Sequence, residues 1–150
     1  MYTLAQIKDI DELARLRVLQ QKDDWEEEYI RQDADFEKET AHFLRAHLNK
    51  DLFVFIKTVS GKIAATCCLQ MRVCMPQCVW TGKEGYICNV YTLPEFRKKG
   101  FQKELLDQTI VYAKESGIEK LSLGCDNPHA RAHYEKYGFK PDPLIMIKYL

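Results

Sequence analysis

Apolar positions change their spacing several times along this 150-residue chain, and each change marks an element. Residues 2–5 predict a short first strand. Asp9 and Glu12 have the spacing of a capping box and open a helix to about Lys22, with Leu13, Leu16 and Leu19 turned inward. Arg17 and Gln20 interrupt that apolar face and narrow it. Phe36, Thr40, Phe43, Leu44 and His47 share one face of a second helix, over residues 33–48. The period then shortens. Residues 52–56 and 63–73, joined through Ser60-Gly61, predict an antiparallel hairpin. A loop with Pro76 and Gly82 leads to a strand at 85–93, and Pro94 breaks the ladder. Leu105, Leu106, Ile110 and Ala113 follow at helical spacing to about Ser116, with Gly117 as the C-terminal cap. Residues 121–125 predict a buried strand, and a helix over 128–137 is capped by Asp126 or Asn127 and ended by Gly138. Residues 144–149 predict a final strand.

The order β-α-α-β-β-β-α-β-α-β implies an α/β domain, a mixed sheet with helices on both faces. A right-handed crossover makes 87–93 and 121–125 parallel neighbours. No repeat or linker divides the chain, and 46% hydrophobic residues suffice for one core over residues 1–150.

Charge narrows the function. Lys+Arg and Asp+Glu both number 22, so no global field draws nucleic acid or an anionic membrane. No stretch reaches the length of a membrane span and the first residues carry no signal-peptide core, so a cytoplasmic location is expected. In that setting Cys67, Cys68, Cys74, Cys78, Cys88 and Cys125 are expected as reduced, mostly packed thiols. Cys74 and Cys78 lack a second ligand pair, which argues against zinc. The run Asp23-Asp24-Trp25-Glu26-Glu27-Glu28-Tyr29 reads as a solvated face or as a rim attracting a cationic amine.

One stretch carries chemistry. After the 87–93 strand, Arg97-Lys98-Lys99-Gly100 feeds a helix that begins near Phe101, Gln102 and Lys103. A helix start presents unpaired N–H groups and partial positive charge, and Gly100 leaves the backbone open to a phosphate or pyrophosphate. The Walker and Gly-x-Gly-x-x-Gly patterns are both absent.

The segment from Asn127 to Phe139 changes the picture. Arg97, Gly100 and Gln102 resemble the Arg/Gln-x-x-Gly-x-Gly/Ala signature of the GNAT superfamily of acetyl-CoA-dependent N-acetyltransferases. Asn127, Ala130, Tyr134, Lys136, Gly138 and Phe139 match that family's later run. Gln102 departs from the pattern, since the family has Gly or Ala there.

The resemblance implies a mostly antiparallel sheet of six to seven strands whose parallel pair, 87–93 and 121–125, splays around the pantetheine arm of acetyl-CoA. It implies contacts from Asn89, Val90, Tyr91 and Thr92 to the arm and thioester, and from Asn127 to the pantetheine region. Arg97, Lys98, Lys99, Gly100, Phe101, Gln102 and Lys103 would surround the pyrophosphate, and Ala130 belongs to the matched run. Val90 or Tyr91 N–H would polarise the thioester carbonyl. Tyr134 is implied as the general acid that protonates the leaving thiolate. Glu84 is the candidate general base, with Asp24, Glu28, His129, His133 or water as alternatives.

The expected activity is acetyl transfer to a primary amine by direct attack in a ternary complex, without metal, the acceptor being a small amine, an aminoglycoside-like amine, a polyamine or a peptide amine. A non-catalytic acyl-CoA-binding or sensing module is the alternative. The apolar C-terminal segment is a candidate surface for a homodimer.

Overall fold

The computed structural model describes residues 2–27, 35–125 and 127–150. Its strands are β1 (Tyr2–Leu4), β2 (Leu52–Val59), β3 (Lys62–Val73), β4 (Lys83–Thr92) and β5 (Lys120–Leu123), and its helices α1 (Ile10–Asp24), α2 (Asp35–His47), α3 (Phe101–Glu115) and α4 (Pro128–Glu135). The strands form one sheet in the order β1-β2-β3-β4-β5. Neighbours are antiparallel except β4 and β5, which run parallel.

Period-2 alternation sorts the sheet into two faces. Val54, Ile56 and Cys68 turn toward α1 and α2, where they meet Leu13, Leu16, Ala41 and Leu44. Phe55, Cys67, Leu69 and Ile87 turn the other way, onto Leu105, Leu106 and Ala113 of α3. Thr109 is wholly buried on that face, and its hydroxyl donates to the Leu105 carbonyl (2.8 Å) and the Cys67 sulfur (3.4 Å). Tyr134, Tyr137 and Phe139 extend this second core beyond α3.

Several expectations need correction. The sheet has five described strands rather than six to seven, because residues 144–149 form no ladder. Leu144, Ile145, Met146, Ile147, Tyr149 and Leu150 are instead exposed, from 66% for Ile145 upward. A continuous apolar run satisfies the composition of a strand, but a strand also needs a partner for its amides, and Pro141 and Pro143 remove two donors just before this one. The capping box also sits one turn early. The Gln6 amide donates to Asp9 Oδ2 (2.8 Å), so Asp9 closes a 3-10 turn at Ile7–Asp9 ahead of α1. Glu12 is bound instead to Arg15 (2.6 Å). On α2 the expected inward Phe43 is 42% exposed and stacks on His47 with ring centroids 4.3 Å apart. Glu28, Tyr29 and the first residues of the predicted second helix lie outside the described residues, as does Asp126.

Candidate active site

The parallel pair stays together briefly. Glu84, Gly85, Tyr86 and Ile87 face Lys120, Leu121, Ser122 and Leu123, and there the pairing stops, although β4 runs on to Thr92. The cause lies on the other side of β4. Thr66 pairs with Tyr91 and Cys68 with Cys88, so Asn89 and Val90 together stand opposite Cys67. Such a bulge bends its strand. Asn89 carries it at φ +49°, a left-handed conformation that Asn tolerates better than most side chains. The bulge is pinned by the Thr66 hydroxyl, which donates to the Asn89 carbonyl (3.1 Å), and by Asn89 Nδ2, which donates to Cys68 Sγ (3.5 Å). The result is a gap between β4 and β5, bordered by Asn89, Val90, Tyr91 and Thr92.

Past the gap, a 3-10 turn (Pro94–Phe96) leads to Gly100, which has φ +80° and precedes α3. No side chain caps α3, and a Cβ built on Gly100 would meet nothing within 4 Å. The first-turn amides, including those of Phe101, Gln102 and Lys103, thus lack a side-chain acceptor and open toward solvent. Lys98 also takes a positive φ, +62°, which tightens the turn. These features fit a diphosphate.

Around this turn the basic residues differ in how committed they are. Arg97 is engaged: its Nη2 donates to Asp23 Oδ2 (2.6 Å) and its Nε to the Thr92 carbonyl (3.1 Å), while the Tyr91 hydroxyl donates to the same Asp23 oxygen (3.2 Å). Arg97 therefore ties the end of β4 to the end of α1. Lys103 pairs with Asp107 (3.0 Å). The Lys99 ammonium lies 5.1 Å from the Phe96 ring centre. Gln102, the departure from the family pattern, folds back so that its Nε2 donates to Thr92 Oγ1 (2.6 Å), which clears the turn. Its Oε1 is buried without a partner among the described residues.

Across the gap, Asn127 caps α4, accepting from the amides of His129 (2.9 Å) and Ala130 (3.3 Å). Two turns on from Asn127, Tyr134 packs edge-on against Phe139 at 6.0 Å and His133 at 5.8 Å. No hydrogen-bond partner for its hydroxyl is found among the described residues. Burial, with the Cys67 and Cys125 sulfurs adding to it, pushes the phenol up to about 12. With Leu123, Gly124 and Cys125, Tyr134 lines a cavity of about 1230 Å³ that wraps the free side of β5.

Glu84 borders the same cavity but stands four residues before Cys88, about 13 Å along the strand. Its carboxylate accepts from the Ser122 hydroxyl (2.8 Å) and the Cys74 thiol (3.5 Å) and pairs with Lys120 (3.5 Å). Burial pushes this carboxyl up, but the Ser122, Lys120 and Cys74 contacts outweigh it and leave it below its ordinary value. A carboxylate held low in the native state stabilises the fold above its unfolded pKa, and that contribution is lost as pH falls through the lower native value. Glu84→Gln should therefore lower stability by about 1 kcal/mol at neutral pH, with the deficit closing below about pH 4.5. Urea melts at pH 7 and pH 3.5 measure this, and an equal deficit at both would contradict it.

Two residues that only interrupted a helix face in the sequence reach the gap. Gln20, buried at 7% exposure, donates through Nε2 to the Val90 carbonyl (3.4 Å). Arg17 Nη1 donates to Gln20 Oε1 (2.7 Å) and Asn89 Oδ1 (3.5 Å). Polar residues on an otherwise apolar stripe were the signal for both.

A model described as the acetyltransferase (GNAT) family matches residues 10–139. The chain belongs to that family. Among solved structures, this GNAT chain is 31% identical to a predicted acetyltransferase from Clostridium acetobutylicum solved with acetyl-CoA, over 99% of this chain and 95% of that one, with a TM-score of 0.87. A GCN5-related N-acetyltransferase from Ralstonia eutropha shares 19% identity over 99% and 97% of the two chains at a TM-score of 0.82. Glucosamine-6-phosphate N-acetyltransferase from Arabidopsis thaliana shares 22% over 99% and 97% at 0.71, a likeness of fold. No curated protein sequence matches the chain. Among the described residues no helix is long and apolar enough to cross a membrane.

Proposed function

We propose that this GNAT chain transfers the acetyl group of acetyl-CoA to a primary amine by direct attack in a ternary complex. The observation that carries the reading is the parting of β4 from β5 beside an uncapped α3. Acetyl-CoA supplies an activated thioester. Gly100 and the first amides of α3 hold its diphosphate, with Lys98 and Lys99 adding charge, and the edge of β4 from Asn89 to Thr92 binds the amide-rich arm. Val90 or Tyr91 N–H stabilises negative charge on the reacting carbonyl oxygen. Tyr134 holds a proton at Oη for the departing sulfur. Arg97 acts chiefly by fixing the end of β4 to Asp23, and Asn127 by starting α4 where Tyr134 meets the gap. Glu84, distant along the strand and already bonded, reaches an incoming ammonium only through water.

The test is release of free thiol and of acetylated product when wild type is given acetyl-CoA and a panel of primary amines. Turnover with at least one amine supports the reading. Saturable acetyl-CoA binding without turnover on any amine would favour a non-catalytic acyl-CoA-binding module.

The exposed tail from Leu144 to Leu150 is the surface through which a second copy would associate, since contiguous apolar residues of this kind are rarely left in water. Light scattering should give twice 17.6 kDa for the full chain and one protomer after truncation at Pro143. A full-length mass of 17.6 kDa would sink this.

A further inference from the structure

The face of the sheet opposite α3 carries two guanidinium groups that no carboxylate among the described residues neutralises. Arg17 reaches from α1 to Asn89 at the bulge, where among the described residues its Nη1 donates to Gln20 and Asn89. Arg72, near the end of β3, lies over the ring of Tyr86, 4.2 Å from its centre. Tyr86 and Cys88 project to one side of β4, the side on which Cys88 packs toward the α1 cluster. Tyr86 to Asn89 spans about 10 Å of strand, so the two cations bracket a short stretch beside the gap. Both fields reach Cys88 between them, where they help hold its thiol down, behind the larger effect of a hydrogen bond with Cys68.

Neighbouring acidic groups are already used. Asp23 is bound by Arg97 and Tyr91, and Glu84 by Lys120 and Ser122. The acidic run that begins in the last turn of α1 thus offers no free anion at Asp23 to trap a cationic amine. Opposite the α3 side, where the diphosphate would sit, Arg17 reaches the gap at Asn89, and Arg72 and Tyr86 stand on the same face of the sheet just before it, next to the already bonded Glu84. Across the gap, Gly124 leaves room for the Tyr86 hydroxyl, 3.4 Å from where a Cβ would stand.

We propose that the acceptor is a small amine bearing a carboxylate or phosphate, whose anionic group is held by Arg17 and Arg72 while Tyr86 forms one wall. The assignment rests on the acetyltransferase reading and names its substrate class. An anionic group between two forked donors gains charge-assisted hydrogen bonds and places the amine at a fixed distance, near the gap at Asn89 and Val90. A polyamine or an aminoglycoside would meet repulsion there.

The experiment uses matched pairs: O-phosphoethanolamine against ethanolamine, glucosamine 6-phosphate against glucosamine, and phenylalanine against phenethylamine. Each is titrated calorimetrically into the protein with and without acetyl-CoA, and kcat/KM is measured for each. The anionic member of at least one pair should bind about tenfold or more tightly, and Arg72→Gln or Arg17→Gln should erase that advantage. Acetyl-CoA affinity should stay unchanged in Arg72→Gln, an exposed position whose replacement spares the core. Equal or weaker binding of the anionic member in every pair, or an advantage that survives both substitutions, overturns the proposal. Which pair responds separates phosphate from carboxylate. Failure of acetyl-CoA itself to bind would defeat the acetyltransferase reading instead, while the titrations without it still decide the arginine site.

Discussion

Replacing Tyr134 by Phe should lower kcat by about 10²- to 10³-fold, the range for loss of a positioned proton donor, with little change in melting midpoint or acetyl-CoA affinity. The expectation follows from what the substitution removes. The ring is held by Phe139, His133 and the α3-side core, and phenylalanine keeps those contacts. The hydroxyl makes no hydrogen bond with a described residue, so its loss breaks no structural contact. Burial lifts the phenol to about 12, above its ordinary value, and the proton therefore stays on oxygen throughout the neutral range. A general acid needs that state. A purely structural Tyr134 would give the opposite pattern, unchanged kcat with any effect confined to stability. Stopped-flow thiol release at saturating acetyl-CoA and amine, beside a thermal melt, separates the two.

Gly100→Glu should weaken acetyl-CoA binding by about 100-fold or more, through like-charge repulsion and loss of backbone access. The fold should survive. No atom lies within 4 Å of the added Cβ, so the cost is chiefly that of holding a non-glycine residue at φ +80°, about 1–2 kcal/mol. Gly100→Ala separates the two contributions, since it carries the same backbone strain without the charge. Calorimetric titration should find the alanine variant much closer to wild type than the glutamate variant. Equal acetyl-CoA affinity in all three would remove the diphosphate from this turn.

Most of the architecture was legible because the chain writes it in period. Val54 and Ile56 alternate with Phe53 and Phe55, and each pair lies on its own face of the sheet. Leu13 and Leu16, or Leu106 and Ala113, repeat at helical spacing and are buried. Gly100 and Asn127 were legible because helix starts demand particular residues, and both stand at helix starts. What period cannot carry is partnership. The tail from Leu144 has a strand's composition, yet pairing depends on another segment offering its edge. The bulge at Asn89 and Val90 was hidden for a related reason, since it is a mismatch of two strands and neither shows it alone. The commitment of Arg97 to Asp23, 74 residues away, has no local signature, so the sequence pattern alone groups Arg97 with Lys98 and Lys99 around the phosphate. Arg17 and Gln20 did leave a trace, as polar gaps in an apolar stripe. Such gaps mark places where a helix faces something other than core.

The most direct test of the account is the melting midpoint of the wild-type chain alone and with acetyl-CoA, NAD or ATP at equal concentration. A ligand that binds only the folded state stabilises it by about 2.7 kcal/mol at a hundredfold excess over its Kd. The account predicts a rise with acetyl-CoA well beyond that with NAD or ATP, lost in Gly100→Glu. Midpoints that do not move with acetyl-CoA, or that move equally with all three, would contradict it.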